Sequence, residues 1–176
     1  NMVGEYLGEN SLAHNVHVKD DFLYVSHYTS GLKILDLYNP ADPVEVAAYD
    51  TYPDNDSEGF YGCWGAFPFS KNNFIYASDM QYGLFVFEFN NIQAGWVYGN
   101  VIKNNESLSG VKIISLLNEK VFISNLNGEY AFGFPSGIQE FEVFQNDILL
   151  DTILIPLVAH KIIEHNIILD THGDAN

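Results

Sequence analysis

Cysteine is nearly absent: Cys63 stands alone among 176 residues, so no disulfide can close within the chain and no Cys-based zinc site can be built. Positive charge is scarce as well. Seven Lys and Arg face 23 Asp and Glu, a formal net charge of −16, which repels a phosphate backbone and argues against nucleic acid as a partner. Long apolar runs are missing: the stretch from Ile148 to Val158 is interrupted by Asp151 and Pro156 and falls short of a membrane span. Asn1-Met2-Val3-Gly4-Glu5 has neither the basic start nor the apolar segment of a secretory signal. Helical runs rich in Glu, Lys and Ala are wanting too. With 11 Tyr, 13 Phe and 14 Gly, the composition favours strands. The acidic excess reads as a solvated surface, with divalent-cation binding as the alternative.

What the chain does contain is one unit written twice. Phe22 to Leu37 (FLYVSHYTSGLKILDL) recurs without a gap as Phe74 to Phe89 (FIYASDMQYGLFVFEF), so Phe, Tyr, Ser, Gly and Leu fall on themselves and Asp36 meets Glu88. Short strands repeating at roughly 40 to 50 residues have the period of a β-propeller blade. Propellers close with about four to eight blades, so two blades predict the tail of a larger ring whose remaining blades, or another polypeptide, complete it. The first blade parses as strands at His14 to Val18, Phe22 to Tyr28, Gly31 to Leu37 and Val44 to Tyr49, with turn chemistry at Asp20-Asp21 and Asn39 to Pro43. The second has strands at Trp64 to Phe69, Asn73 to Asp79 and Gly83 to Phe89, and no counterpart of the outer strand. A strand from elsewhere would complete it, since ring closure removes an exposed sheet edge. Val3 to Leu7 is expected as the outer strand of a preceding blade.

The repeat stops near Ala94. From there seven strands are expected, at Trp96 to Ile102, Val111 to Leu116, Lys120 to Ser124, Tyr130 to Phe134, Glu140 to Phe144, Ile148 to Ile155 and Lys161 to Leu169, separated by turns such as Asn127-Gly128 and Pro135-Ser136-Gly137. That pattern predicts an immunoglobulin-like or transthyretin-like β-sandwich. The whole is therefore read as all-β: residues 1–90 as terminal propeller blades, 94–170 as a sandwich and 171–176 as a polar tail.

Several segments carry a family resemblance. Ala13 to Val18, Gly31 to Asp36 with Asn39 to Val44, Tyr49-Asp50-Thr51, Gly62 to Gly65, Ser78-Asp79 and Gly83 to Val86 together resemble the LVIVD-repeat propellers, including the secreted bacterial group called choice-of-anchor B. Gly99-Asn100-Val101, Leu108 to Ile113, Asn127 to Phe132 and Phe134 to Gly137 resemble the carboxypeptidase regulatory-like domain. Neither resemblance implies a known catalytic activity. Both imply export, to the extracellular space or the outer surface of a bacterium.

Within a propeller, the loop entering the innermost strand and the loop after the second strand share one face. This groups His14, His27 and Asp79 on a rim, with Cys63 and Trp64 beside them and His17 deeper along the channel-facing strand. Imidazole and carboxylate suit zinc or another transition metal. The alternative is hydrogen-bonded histidines lining a wet channel, and His14-x-x-His17 in a strand points its rings to opposite faces. Asp54, Asp56 and Glu58 alternate ahead of Gly59, offering hard oxygen ligands to calcium; an EF-hand is excluded because Gly65 stands where the bidentate Glu belongs. Trp64, Phe67, Phe69, Phe85, Phe87 and Phe89 read as packing between blades, and no Ser, His and Asp arrangement stands out. Two functions follow. One is a surface or extracellular binding protein, with the propeller face toward a protein or glycan and the sandwich as spacer or second contact module. The other is a metal-dependent hydrolase or lactonase-like enzyme with a His/Asp channel site.

Overall fold

The computed structural model of the chain describes residues 1–8, 12–54 and 59–169. All regular elements among them are strands, so the protein is all-β. The chain divides into two compact units, Asn1–Ala94 and Gly95–Asn176.

The first unit holds two antiparallel meanders. β1 (Asn15–Lys19), β2 (Phe22–Ser26), β3 (Leu32–Asp36) and β4 (Val44–Tyr49) form a four-stranded sheet in sequence order. β5 (Cys63–Phe67), β6 (Ile75–Asp79) and β7 (Gly83–Phe87) form a three-stranded one. Successive side chains on a strand point to opposite faces, and the middle strands of the first sheet are apolar on both. Tyr24 and Ile34 face one way, Val25 and Leu35 the other, and all four are buried.

Gly31 and Gly83 both adopt positive φ (75° and 87°) at the turn into the third strand of their meander. A residue with a side chain disfavours that conformation. A carboxylate anchor ends the third strand of the first meander: Asp36 is buried and accepts the amides of Tyr38 and Ala94, each at 2.7 Å, which fixes where the chain leaves this unit.

The two meanders pack face to face, with β5 nearest β1 and β2. Phe89 inserts edge-on against Phe22 and Tyr24, and Tyr49 lies against Phe85 and Phe87. Ser26, fully buried, bonds the carbonyl of Trp64 at 3.2 Å. Two sheet faces remain open among the described residues. Val16 and Val18 are exposed on the first sheet, and Phe67, Leu84 and Val86 on the second, where Leu84 is 67% accessible. Phe67 and Phe69 are therefore half-exposed and not enclosed between blades as their spacing suggests, because no further sheet of this unit covers them among the described residues.

Residues 3–7 form no strand. Instead the segment lies along the first sheet: Gly4 has no room for a Cβ against the Pro40 carbonyl, the Tyr6 hydroxyl donates to Glu45 at 2.5 Å, and Gly8 abuts the His27 ring.

The second unit is a β-sandwich. One sheet runs β11 (Val121–Ile123), β10 (Lys112–Ser115), β13 (Gly137–Gln145), β14 (Ile148–Leu157); the other runs β12 (Glu129–Pro135), β8 (Ala94–Lys103), β15 (Ile162–Glu164), with β9 (Glu106–Ser107) and β16 (Ile167–Leu169) also on β8. Val101, Ile113, Phe134, Phe141, Val143 and Ile155 are its fully buried centre, and Phe122 stacks on Phe132 with centroids 3.8 Å apart. Pro156, which lacks an amide donor, sits on the edge strand β14 where none is needed.

The expected single strand from Lys161 to Leu169 is two, β15 and β16, both parallel to β8. The break falls where Gly99 of β8 meets the His165 carbonyl, with only 1.9 Å for a Cβ. Asn166 Oδ1 then accepts the Asn100 amide at 2.9 Å. The Tyr130 hydroxyl donates to the His165 carbonyl at 2.6 Å, and burial pushes its phenol pKa up.

Candidate binding rim

Four segments converge at one end of the first unit: the approach to β1, the β2–β3 turn, the loop leading into β5 and the β6–β7 turn. Backbone bonds hold them together. His14 donates its amide to Ser26 at 2.8 Å, Cys63 to Tyr28 at 2.9 Å and Met80 to Gly62 at 2.9 Å. Tyr28 takes φ 40° and forms an isolated bridge with Cys63, which turns the chain after β2.

Beneath the rim lies a buried polar knot. Asp79 closes it: its Oδ2 accepts the Thr51 hydroxyl at 2.7 Å, and its Oδ1 accepts the amides of Gln81 and Tyr82, each at 2.8 Å. Asp79 therefore organises the β6–β7 turn, in the manner of a short carboxylate side chain bonding the backbone two residues on. Cys63 is opposite Asp79 in the ladder and wholly buried. Burial, reinforced by the Asp79 charge, pushes its thiol up to about 12.

The histidines go separate ways. His14 lies over Trp64, with ring centroids 3.9 Å apart, and meets Tyr28 edge-on at 5.2 Å. Its Nδ1 is buried without a hydrogen-bond partner among the described residues. His27 is buried beside Tyr6 and Gly8, and burial lowers its pKa. His17 meets Phe69 edge-on at 5.8 Å. Among the described residues no three His, Cys, Asp or Glu side chains gather as a metal site would need. Of the acidic loop, Asp54 accepts the Tyr82 hydroxyl, while Asp56 and Glu58 lie outside the described residues.

What the rim exposes is aromatic. A register shift between Cys63 and Gly65 leaves Trp64 as a bulged residue, and such a bulge re-aims its side chain. Trp64 is thereby half-exposed, Phe60 is 69% accessible, and Tyr61 and Tyr82 are half-exposed. Phe60 packs edge-on against Tyr28 at 5.4 Å, Tyr52 stacks on Tyr61 at 6.1 Å and meets Tyr82 at 5.9 Å. The hydrogen bond to Asp54 pushes the Tyr82 phenol up. Flat ring faces beside carboxylate acceptors can stack on a sugar ring or receive a cation. Of these rings only Trp64 stands out in the sequence; Phe60 and Tyr61 lie in the loop before β5 and Tyr82 in the β6–β7 turn, where no strand period marks them.

A family model for the LVIVD repeat matches residues 12–51. That span covers β1 to β4, the first meander. No curated protein matches the chain. Among solved structures, a similar one is GBS52, the minor pilin of the Gram-positive pathogen Streptococcus agalactiae, at 9% sequence identity and a TM-score of 0.39. The likeness covers 62% of this chain and 65% of the pilin chain.

Proposed function

We propose that this chain belongs to a secreted or cell-surface bacterial binding protein. Residues 1–90 act as propeller blades that present an aromatic, acidic rim to an extracellular protein or glycan. Residues 94–170 act as a carboxypeptidase regulatory-like spacer or second contact module, followed by a polar tail. Further blades or another polypeptide complete the ring over the open sheet faces. The LVIVD match supports the repeat, and the observation that carries the binding reading is the cluster of half-exposed rings at Phe60, Tyr61, Trp64 and Tyr82. Contiguous exposed aromatics on an otherwise acidic surface mark interaction sites.

Binding to an oligosaccharide array and to a panel of basic peptides tests this. The best ligand should lose about tenfold or more in affinity to Trp64→Ala or Tyr61→Ala. Equal binding by both variants would move the site away from the rim.

A further inference from the structure

Part of the rim is a cluster of three tyrosines. Tyr52 lies near-parallel to Tyr61 (11°) with centroids 6.1 Å apart, and tilted by 47° against Tyr82 at 5.9 Å. The other rim rings belong elsewhere: Phe60 packs on Tyr28, and Trp64 on His14 and Tyr28. The three tyrosines come from separate segments whose backbone is tied down beneath them. Tyr52 donates its amide to Asp50 at 2.7 Å and follows Thr51, which is bonded to Asp79. Tyr61 precedes Gly62, whose amide donates to the Gln81 side chain at 2.8 Å; a Cβ there would lie 2.4 Å from the Tyr28 carbonyl and 3.1 Å from the Tyr52 Cβ. Tyr82 donates its amide to Asp79 at 2.8 Å. A cluster assembled on fixed backbone saves part of the ordering cost of binding.

The charge around this cluster is all of one sign. The Tyr82 hydroxyl donates to Asp54, which draws electron density toward the ring and makes its face a better cation acceptor. Between Lys33 and Lys71 the sequence holds seven Asp and Glu and no Lys or Arg, and arginine is absent from the whole chain. The ion pairs among the described residues, Lys33 with Glu45 and Lys112 with Asp147, leave Asp50 and Asp54 without a cation. Asp54 is exposed, and a carboxylate that has accepted one hydroxyl still has lone pairs to offer.

We propose that Tyr52, Tyr61, Tyr82 and Asp54 receive the guanidinium of an arginine presented by a basic segment of a partner protein. A guanidinium is planar, stacks on an aromatic face, sheds water more readily than an ammonium and donates to a carboxylate at the same time. A neutral sugar could stack on the rings but would gain nothing from the carboxylate's charge. The acidic excess also attracts a basic partner from a distance. The proposal rests on reading the rim as the binding surface, and it names the chemistry of what binds there.

The test titrates the full chain at low salt with an acetylated peptide of three Arg-Gly repeats, followed by NMR. Shifts should saturate on the rings of Tyr52, Tyr61 and Tyr82 and on Asp54. The citrulline counterpart keeps the shape without the charge and should bind at least about tenfold more weakly, and the Lys-Gly counterpart about threefold more weakly. Tyr82→Ala and Asp54→Asn should each lose about three- to tenfold. Tyr82→Phe, which keeps the ring and the turn, should lose only about twofold. Raising the salt from about 20 mM to about 300 mM should weaken the native complex.

Equal binding of the arginine and citrulline peptides would overturn the proposal, as would the absence of saturating shifts on the cluster. So would equal binding of the arginine and lysine peptides with shifts spread over the acidic surface, which is charge attraction alone. The rim reading fails on a different result. An uncharged oligosaccharide weakened by Trp64→Ala, with the arginine peptide leaving the cluster unshifted, sinks the arginine site and keeps the rim. Equal binding of every ligand by Trp64→Ala and Tyr61→Ala sinks both.

Discussion

At the scale of single residues, turn chemistry has first claim on the polar groups. Asp79 looks like a free ligand at a strand end, yet its oxygens are taken by Thr51, Gln81 and Tyr82. Asp36, Asp50, Ser115 and Asn125 likewise accept the amide two positions on. That signal was present in the sequence as Asp, Asn or Ser just ahead of a turn. The position of His27 after β2 points to the rim, yet its ring is buried beside Tyr6 and Gly8; at the next residue, Tyr28, the chain takes a positive φ that no residue-type rule announces.

Cys63 yields a prediction at this scale. Its thiol is raised from 9.0 to about 12 by burial, so the folded state holds the protonated form while the unfolded chain ionises from about pH 9 upward. The contribution is complete below pH 9 and is lost as pH climbs toward 12. Between about pH 8 and pH 10.5 the urea midpoint of the native chain should fall relative to that of Cys63→Ala, by up to about 2 kcal/mol in stability. In the same folded protein iodoacetamide at about pH 8 should leave the thiol unmodified, with rapid reaction on denaturation. Parallel midpoints for the two proteins across that range would sink the argument.

At the scale of elements, strand existence was legible and strand surroundings were not. Period-two alternation locates β1 to β7 to within two residues at every end, and Val44–Tyr49 matches at both. The misses have local causes: residues 3–7 bond through side chains and tight glycine contacts, and the Lys161 to Leu169 run divides where Gly99 lets the His165 carbonyl in.

The paired turn glycines give the element-scale prediction. Gly31→Ala would combine a left-handed φ of 75° with a Cβ 2.0 Å from the Tyr49 carbonyl, so it should cost about 3 kcal/mol or more and pull β4 away from β3. Gly83→Ala has the same backbone strain and open space, and should cost only about 1–2 kcal/mol. Denaturant midpoints of the two variants decide it; equal losses would mean the outer strand does not bear on the turn.

At the scale of the whole molecule, the units differ in how they bury their apolar surface. The second encloses Phe134, Phe141 and Ile113 between two sheets of its own. The first leaves Val16 and Val18 open on one sheet and Leu84 and Val86 on the other. Residues 94–170 alone should therefore give a dispersed amide spectrum and one cooperative melt. Residues 1–94 alone should associate or bind a dye for exposed apolar surface. A monomeric, dye-silent, cooperatively melting 1–94 fragment would show that the open faces need no cover.

The bond from Ala94 to Asp36 also bears on how such a chain carries load. Tension arriving from the C-terminal side would reach the first unit through an amide held at 2.7 Å by a buried carboxylate at the end of β3. It would not begin by unzipping β7 one residue at a time, the weakest way to pull a strand from a sheet edge. The force would instead enter at an inner strand flanked by ladders on both sides. For a module exposed to flow or pulling, a single aspartate then converts a peelable edge into a clamp.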